Sequence, residues 1–401
     1  MQKRKATVLD FGSSNLSLCI GSRGINNTFA INCLTQTEYD GFSDGEFFDK
    51  TKLKEAIKES LKTGETDKKH KIKSIYVGVP SEFCAVTSEK LTQHFSKKTK
   101  ITNEIITKLA NELVDREYLK SKILISCNAN YVVLDDDREI IDFENKKAHK
   151  ITAEISLIYV DNYFVSVVNE ILADLGLESV TYICSAYAQA KYLFNSEDKL
   201  KDKIVIDVGH ITTSVFQTFG NGLRGLVAFS IGGGHVSADL AECLNLTFEQ
   251  GEALKREIVL SINSKRKDEC YEVNVKDKIL PVSINFANEV VKARLDMICQ
   301  LIKKIINDFH IENSQIAPVY LTGGGLSYII GGRDYLAKSI GKNVQLLACH
   351  APINQKPHLT SVFSLLNEAL SRQEKSKKLH NIFKKRGWIC IQIITLAQWQ
   401  T

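Results

Sequence analysis

Two aspartates are placed where phosphate chemistry is done. Asp10 ends the apolar run ATVL and is followed two residues later by Gly12; Asp207 ends the run IVI and is followed by Gly209. Glycine at that place lets the chain turn sharply and approach a ligand closely, and the N–H groups of the turn can face phosphate oxygens. The carboxylate beside them suits a magnesium ion, usually held through waters. Ser13, Ser14 and Asn15 fill the first turn, and His210 and Thr212 lie in the second. The two signatures stand 197 positions apart, and each leads into a further strand. One strand-Asp-x-Gly turn is common; two with matching flanks point to a duplication, with two lobes each offering a phosphate-facing hairpin to a shared cleft. Two glycine runs follow the second turn: Gly232–Gly234, which includes Gly233, and Gly323–Gly325 after the strand PVYLT.

The elements that must position these residues are legible from periodicity and breakers. Strands are expected at 6–10, 16–20, 74–79, 180–184, 204–207, 212–219 and 318–322. Helices are expected at 53–61, 165–175 (ended by Gly176), 185–194, 248–258, 286–309 and 359–370, with another beginning near Val236. Gly220-Asn221-Gly222 marks a hairpin turn. Between Ser81 and Ile155 the character changes to polar strands, a helix opening at Thr102-Asn103-Glu104 and running to about Arg116, strands at 123–127 and 131–134, and an acidic turn at Asp135–Asp137. This segment reads as a small α+β insertion. Residues 264–278 read as a charged hairpin or loop.

With 401 residues, 44% hydrophobic and 25% charged, the chain has room for two or more full cores. No apolar run approaches the roughly 18–20 residues that span a bilayer, and the basic start at Met1–Lys5 leads only into a short strand, unlike a secretory signal. Ten cysteines without a C-x-x-C pair favour reduced, buried thiols over disulfides or zinc. The net charge is +5, but seven basic residues and one acid lie from Arg372 onward, so the tail carries +6 and the rest −1. A neutral body argues against nucleic acid as a partner.

The ordered set of motifs resembles the actin-like ATPases and, within them, the bacterial cell-division family FtsA. VGVPSEF followed by ITNEIITKLANE is similar to the start of that family's inserted subdomain. NYVVLDD and CSAYAQA resemble its Tyr-x-Leu-Asp segment and its Ala-Ser-Ala-x-Ala helix start. IGGGHVSADLA, GEALK and VVKARLDMI resemble later elements, so that the likeness covers residues 6–371. It implies a duplicated two-lobe α/β fold, ribonuclease H-like, with the first lobe at 1–80, 156–202 and 356–371 and the insertion at 81–155. The second lobe core is implied at 203–236 and 311–355, its small helical subdomain at 237–310, and a basic membrane-targeting tail at 372–401.

By the same resemblance the cofactors are ATP and Mg2+. Asp10, Gly12, Ser13, Ser14 and Asn15 would cradle phosphate from one lobe; Asp207, Gly209, His210, Thr212 and Gly233 from the other. Asp10 and Asp207 would serve hydrated magnesium, with Asp207 the catalytic carboxylate. Glu252 and Lys255 would reach the ribose and adenine, although a Glu–Lys pair three apart on a helix is also an ordinary surface pair. Gly323, Gly324 and Gly325 would let the backbone pass under the nucleoside. Two departures bear on hydrolysis: His210 stands where the family usually has glycine, and Tyr187 takes the place of the glutamine that positions water in actin. The family's glycine pair after its Leu-Asp segment is replaced here by Glu144–Lys150.

The function implied is an ATP-binding protein that polymerises and ties the FtsZ ring to the inner face of the cytoplasmic membrane at the division site, recruiting later division proteins. Its implied partners are FtsZ, further copies of itself and anionic lipid. The lipid contact would be made by a basic amphipathic tail helix carrying Leu379, Ile382 and Phe383, with Trp388 at headgroup depth. An alternative in the same fold is a PilM-like type IV pilus component. A second is a small-molecule kinase, which needs an additional general-base acid that the sequence does not offer.

Overall fold

The computed structural model describes residues 5–24, 28–65, 71–261, 269–275, 278–309, 317–348, 356–383 and 394–395. The chain forms two compact units: one of residues 1–201, 218–226 and 349–401, the other of 202–217 and 227–348.

The first unit opens with a meander of β1 (Lys5–Phe11), β2 (Asn15–Arg23) and β3 (Phe29–Glu38), then the two-residue strands β4 (Phe42–Ser43) and β5 (Glu46–Phe47), helix α1 (Lys50–Gly64) and β6 (Ser74–Val79). The insertion follows: β7 (Cys84–Lys100), α2 (Asn103–Leu113), β8 (Lys122–Val133), β9 (Glu139–Ile140) and β10 (Lys147–Asp161). Then come α3 (Asn162–Asp174), β11 (Ser179–Cys184), α4 (Ser185–Tyr192) and α5 (Ser196–Lys199). β6 runs parallel to β1, aligning Gly78 with Asp10, and β11 runs parallel to β6. The core beneath this sheet is aromatic: Phe11, Phe42, Phe47, Phe83 and Phe164 pack ring on ring at centroid separations of 4.8–6.2 Å. Rings this close add stability beyond their buried area.

The insertion is a separate sheet in the order β7-β10-β8-β9. Along β10 the alternate residues Ile151, Ala153, Ile155, Leu157 and Tyr159 face one way and pack with Ile106 and Leu109 of α2 in one core, while Glu154, Ser156, Ile158 and Val160 are buried as well.

The second unit repeats the first unit's plan with β12 (Lys203–Val208), β13 (Thr213–Phe219), β14 (Gly222–Phe229), α6 (Gly233–Leu244) and α7 (Phe248–Glu257). It continues through the hairpin β15 (Cys270–Val275) and β16 (Lys278–Ser283), α8 (Ile284–Asp308), β17 (Val319–Thr322), α9 (Gly324–Ser327), α10 (Gly332–Ile340) and β18 (Val344–Leu346). Its sheet order, β14-β13-β12-β17-β18, matches β3-β2-β1-β6-β11 strand for strand. Helix α8 buries Ala287, Val291, Leu295, Ile298, Ile302 and Ile306 in this core, the three-and-four spacing of one helical face. Helix α11 (Thr360–Phe383) returns to the first unit, and β19 (Ile394–Thr395) pairs with β11.

Several expectations change. The strands expected at 123–127 and 131–134 are one strand, β8, because Asn128 and Ala129 continue the β10 ladder and Asn130 is taken up in a register shift. Thr102 stands at the N-terminus of α2 without a side-chain cap, and the helix stops at Leu113 rather than near Arg116. The last helix does not end at Leu370 but runs to Phe383, so the tail begins as its continuation. The side chains of 375–383, the residues 384–393 with Trp388, and 396–401 lie outside what is described, as does 262–268 of the expected charged loop. The expected helical subdomain also contains the β15–β16 hairpin. The tip of the β13–β14 hairpin, 218–226, groups with the first unit rather than the second.

Candidate nucleotide site

In the first unit Asp10 is buried at the end of β1, and its Oδ1 accepts a hydrogen bond from Ser185 Oγ at 3.1 Å. Gly12 N–H donates to Asn15 O at 2.9 Å, closing the turn, while Ser13 is buried within it. Tyr39 braces the turn from outside: its hydroxyl donates to Gly12 O at 2.7 Å and its N–H to Ser14 O at 3.2 Å. Burial, and then the charges of Asp10 and Glu82, push the Tyr39 phenol well above its ordinary pKa, so it stays a neutral donor.

The second unit makes the same turn. Gly209 N–H donates to Thr212 O at 2.8 Å, the bond of Gly12 and Asn15 moved by the same 197 residues. Two glycine segments close around it. Gly233 N–H donates to Gly209 O at 2.9 Å and Gly234 N–H to His210 O at 2.7 Å, tying the start of α6 to the turn. Gly323 has φ +82°, and a Cβ there would lie 2.4 Å from Asp207 Oδ1. A Cβ on Gly325 would lie 2.2 Å from Gly209 O, and one on Gly233 would lie 2.4 Å from the Gly325 Cα. Backbone meets backbone here, so no side chain can be accommodated without displacing the turn. The α6 N-terminus contributes its positive end to the same place, which favours an anion.

Glu252 and Lys255 belong to this cluster, although as a pair engaged with each other. Lys255 is buried, and its Nζ donates to Glu252 Oε2 at 2.5 Å and to Gly233 O at 3.0 Å. Ser237 Oγ also donates to Glu252 Oε2 at 2.6 Å, and Arg256 Nε to Oε1 at 3.0 Å. Burial pulls the Lys255 pKa down despite Glu252; burial raises Glu252, but the Lys255 charge and the hydrogen bonds from Lys255, Ser237 and Arg256 outweigh it and hold the carboxyl below its usual range. The pair therefore pins α7 to the glycine start of α6. The His210 ring meets the Phe248 edge at a centroid distance of 5.6 Å and lies beside Gly234.

Tyr187 is buried on α4, and its hydroxyl donates to Asn128 Oδ1 of the insertion at 2.8 Å. The supports Ser185, Tyr39 and Gly78 were not singled out in the sequence. A Cβ on Gly78 would lie 2.7 Å from Asp10 Oδ1, so that position too is restricted to glycine. Only the serine that opens the helix after β11 offered a readable signal.

The repeated order of five strands and the paired turns define the fold of the actin-like ATPases. Among solved structures the chain is similar to the PilM-PilN type IV pilus biogenesis complex, with TM-score 0.59 over 92% of this chain and 99% of that one at 16% identity. It is also similar to MreB5 of Spiroplasma citri bound to ADP, with TM-score 0.54 over 94% and 99% at 12% identity. No protein-family model matches the chain. Its curated relatives include Cell division protein FtsA of Staphylococcus epidermidis RP62A, 20% identical over 390 residues, 93% of this chain and 81% of that protein. Cell division protein FtsA of Enterococcus faecalis is 22% identical over 386 residues, 94% and 84% of the two chains. The fold class and the FtsA likeness expected from the motifs are thus both found.

Proposed function

We propose that the protein binds ATP with Mg2+ and works as an actin-like cell-division component that polymerises and tethers an FtsZ ring to the membrane. One observation carries the nucleotide part: an Asp-x-Gly turn closed by one backbone bond occurs in each unit, and glycine backbone packs against the second. That cluster is a cradle which any Cβ would fill, and it suits a phosphate chain and the nucleoside behind it. Asp10 and Asp207, each beside the turn of its own unit, would serve a hydrated magnesium held mainly by phosphates, an ion that needs only one or two carboxylates. Magnesium would neutralise phosphate charge. The chain's own part is to hold phosphates against the turns Gly12–Asn15 and Gly209–Thr212, whose shape the N–H groups of Gly12, Gly209 and Gly233 fix by bonding to backbone carbonyls.

Nucleotide here is a conformational ligand rather than fuel for metabolism. The division role, self-association and recruitment follow the FtsA relatives, and the insertion, with no phosphate-binding feature, is assigned to partner contact. Asp207→Ala should weaken ATP binding at least tenfold in calorimetry, on the order of the 1.4 kcal/mol that a tenfold change represents, with the fold unchanged by circular dichroism. Unaltered affinity would reject the site. Co-sedimentation with FtsZ and anionic liposomes, with and without ATP, tests the division role; turnover stimulated by a sugar would replace it with a kinase.

A further inference from the structure

The two Asp-x-Gly turns hold their carbonyls by different means. In the second unit Gly209 O accepts from Gly233 N–H at 2.9 Å and His210 O from Gly234 N–H at 2.7 Å, backbone on backbone. Gly12 takes the place of Gly209 in the first unit, and its carbonyl accepts instead from the Tyr39 hydroxyl at 2.7 Å. Two residues on, Ser14 O accepts from the N–H of the same tyrosine at 3.2 Å. A single residue thus supplies in one turn what a helix start supplies in the other.

Each of these bonds sets the plane of a peptide. The peptides are trans, so the C=O and N–H of each point in opposite directions. With Gly12 O and Ser14 O both drawn to Tyr39, the N–H groups of Ser13 and Asn15 are directed away from it. Turn N–H groups that share an outward direction form a surface suited to an anion. Tyr39 can impose that direction because it is itself fixed. Antiparallel pairing of Asn15 with Glu38 brings the end of β3 beside the turn, and the ring is buried with Phe42, Phe47 and Phe83 in the aromatic core. The segment that follows is closed by Phe48 N–H on Gly41 O at 3.2 Å and by Gly45 N–H on Glu82 Oε1 at 2.7 Å.

We propose that Tyr39 is a positioning residue for the polyphosphate of a bound nucleotide: it holds the carbonyls of the first turn and so presents the Ser13 and Asn15 N–H groups to phosphate oxygens. It acts through the turn rather than on the ligand. This role rests on the ATP binding proposed for the two turns.

The test is Tyr39→Phe, which keeps the buried ring and removes one hydroxyl. Affinities for ATP, ADP and adenosine are measured with Mg2+ on the full-length protein, by competition with a fluorescent ATP analogue. ATP and ADP should each bind about tenfold more weakly than to the wild type, a loss that one buried hydrogen bond accounts for, while adenosine binding stays unchanged. Equal ATP affinity in the two proteins would overturn the proposal and leave the nucleotide site standing. A loss shared equally by adenosine would overturn it too, since the tyrosine would then support the fold and not the phosphates. A wild type that does not bind the analogue would remove the nucleotide site and this role with it. Amide hydrogen exchange of the wild type, followed residue by residue, decides the matter even if the variant fails to fold. Exchange at Ser13 and Asn15 should slow with ATP and not with adenosine, and exchange left unaltered by saturating ATP would overturn the proposal.

Discussion

Glycine, rather than a charged side chain, determines where the second turn can lie. Gly233 and Gly325 touch backbone to backbone, and Gly323 combines a left-handed φ with contact against Asp207. Gly325→Ala should therefore cost about 1–3 kcal/mol in denaturant unfolding, the range for overpacking a filled site, and should abolish ATP binding. His210 stands against Phe248, and Tyr187 spends its hydroxyl on Asn128. A water-positioning amide is worth orders of magnitude in rate, so ATP hydrolysis by the isolated protein is expected to be slow. Measuring phosphate release for His210→Gly beside wild type shows whether the imidazole hinders the turn; brisk release by the wild type would remove this account. Asp10, Gly12, Asp207 and Gly209 were legible because strand end and turn are local in sequence. Ser185 and Tyr39 were not, since only pairing across the sheet brings residue 185 to residue 10.

At the scale of elements, α4 gathers several constraints. Its first residue holds Asp10, its third reaches the insertion, and Lys191 pairs with buried Glu368 of α11 at 2.6 Å. Arg372 reaches the other Glu368 oxygen at 2.9 Å. Burial alone would raise the Glu368 pKa, but these two cations lower it below the usual glutamate value. A depressed carboxylate contributes stability that is present above its unfolded pKa and lost as pH falls through the folded one. The Glu368 contribution should thus be intact at neutral pH and fade in acid, below about pH 4.5. Glu368→Gln, which leaves two cations without their partner, should cost about 3 kcal/mol at pH 7 by urea unfolding and much less at pH 3. An equal cost at both values would show that packing, not charge, is involved. The length of α11 escaped sequence reading because its apolar period ends near Leu370 while nothing breaks the helix before Phe383.

The whole molecule is a repeat at the level of strand order, and that was the most legible feature, since each half carries its own complete hydrophobic pattern. The insertion's strands were harder to read: polar outward residues interrupt the apolar period in β7 and β8, which only pairing with β10 fixes. The same half-polar sheet meets the 218–226 tip through Arg224, which bonds buried Glu154 at 2.8 and 2.9 Å and stacks on Phe219, a liaison that sequence spacing does not reveal. No described helix is long and apolar enough to cross a membrane. Deleting residues after Arg372 should nonetheless release the protein from anionic liposomes while sparing ATP binding, since each basic residue near such a surface adds about 1 kcal/mol. Flotation that is undiminished by the truncation would end the anchor assignment.

The first unit is assembled from three stretches, with α11 laid over β1, β2 and β6 so that Leu366 fills the space at Gly21 and Leu365 that at Gly78. A ribosome delivers those strands first and their covering helix last. Throughout synthesis of residues 24–359 the sheet that bears Asp10 must wait with that face bare, whereas 227–348 of the second unit is already contiguous. Nascent chains halted before Thr360 should therefore resist protease in the later half and be cut in the earlier one, reversing the usual order in which the N-terminal part of a protein matures first.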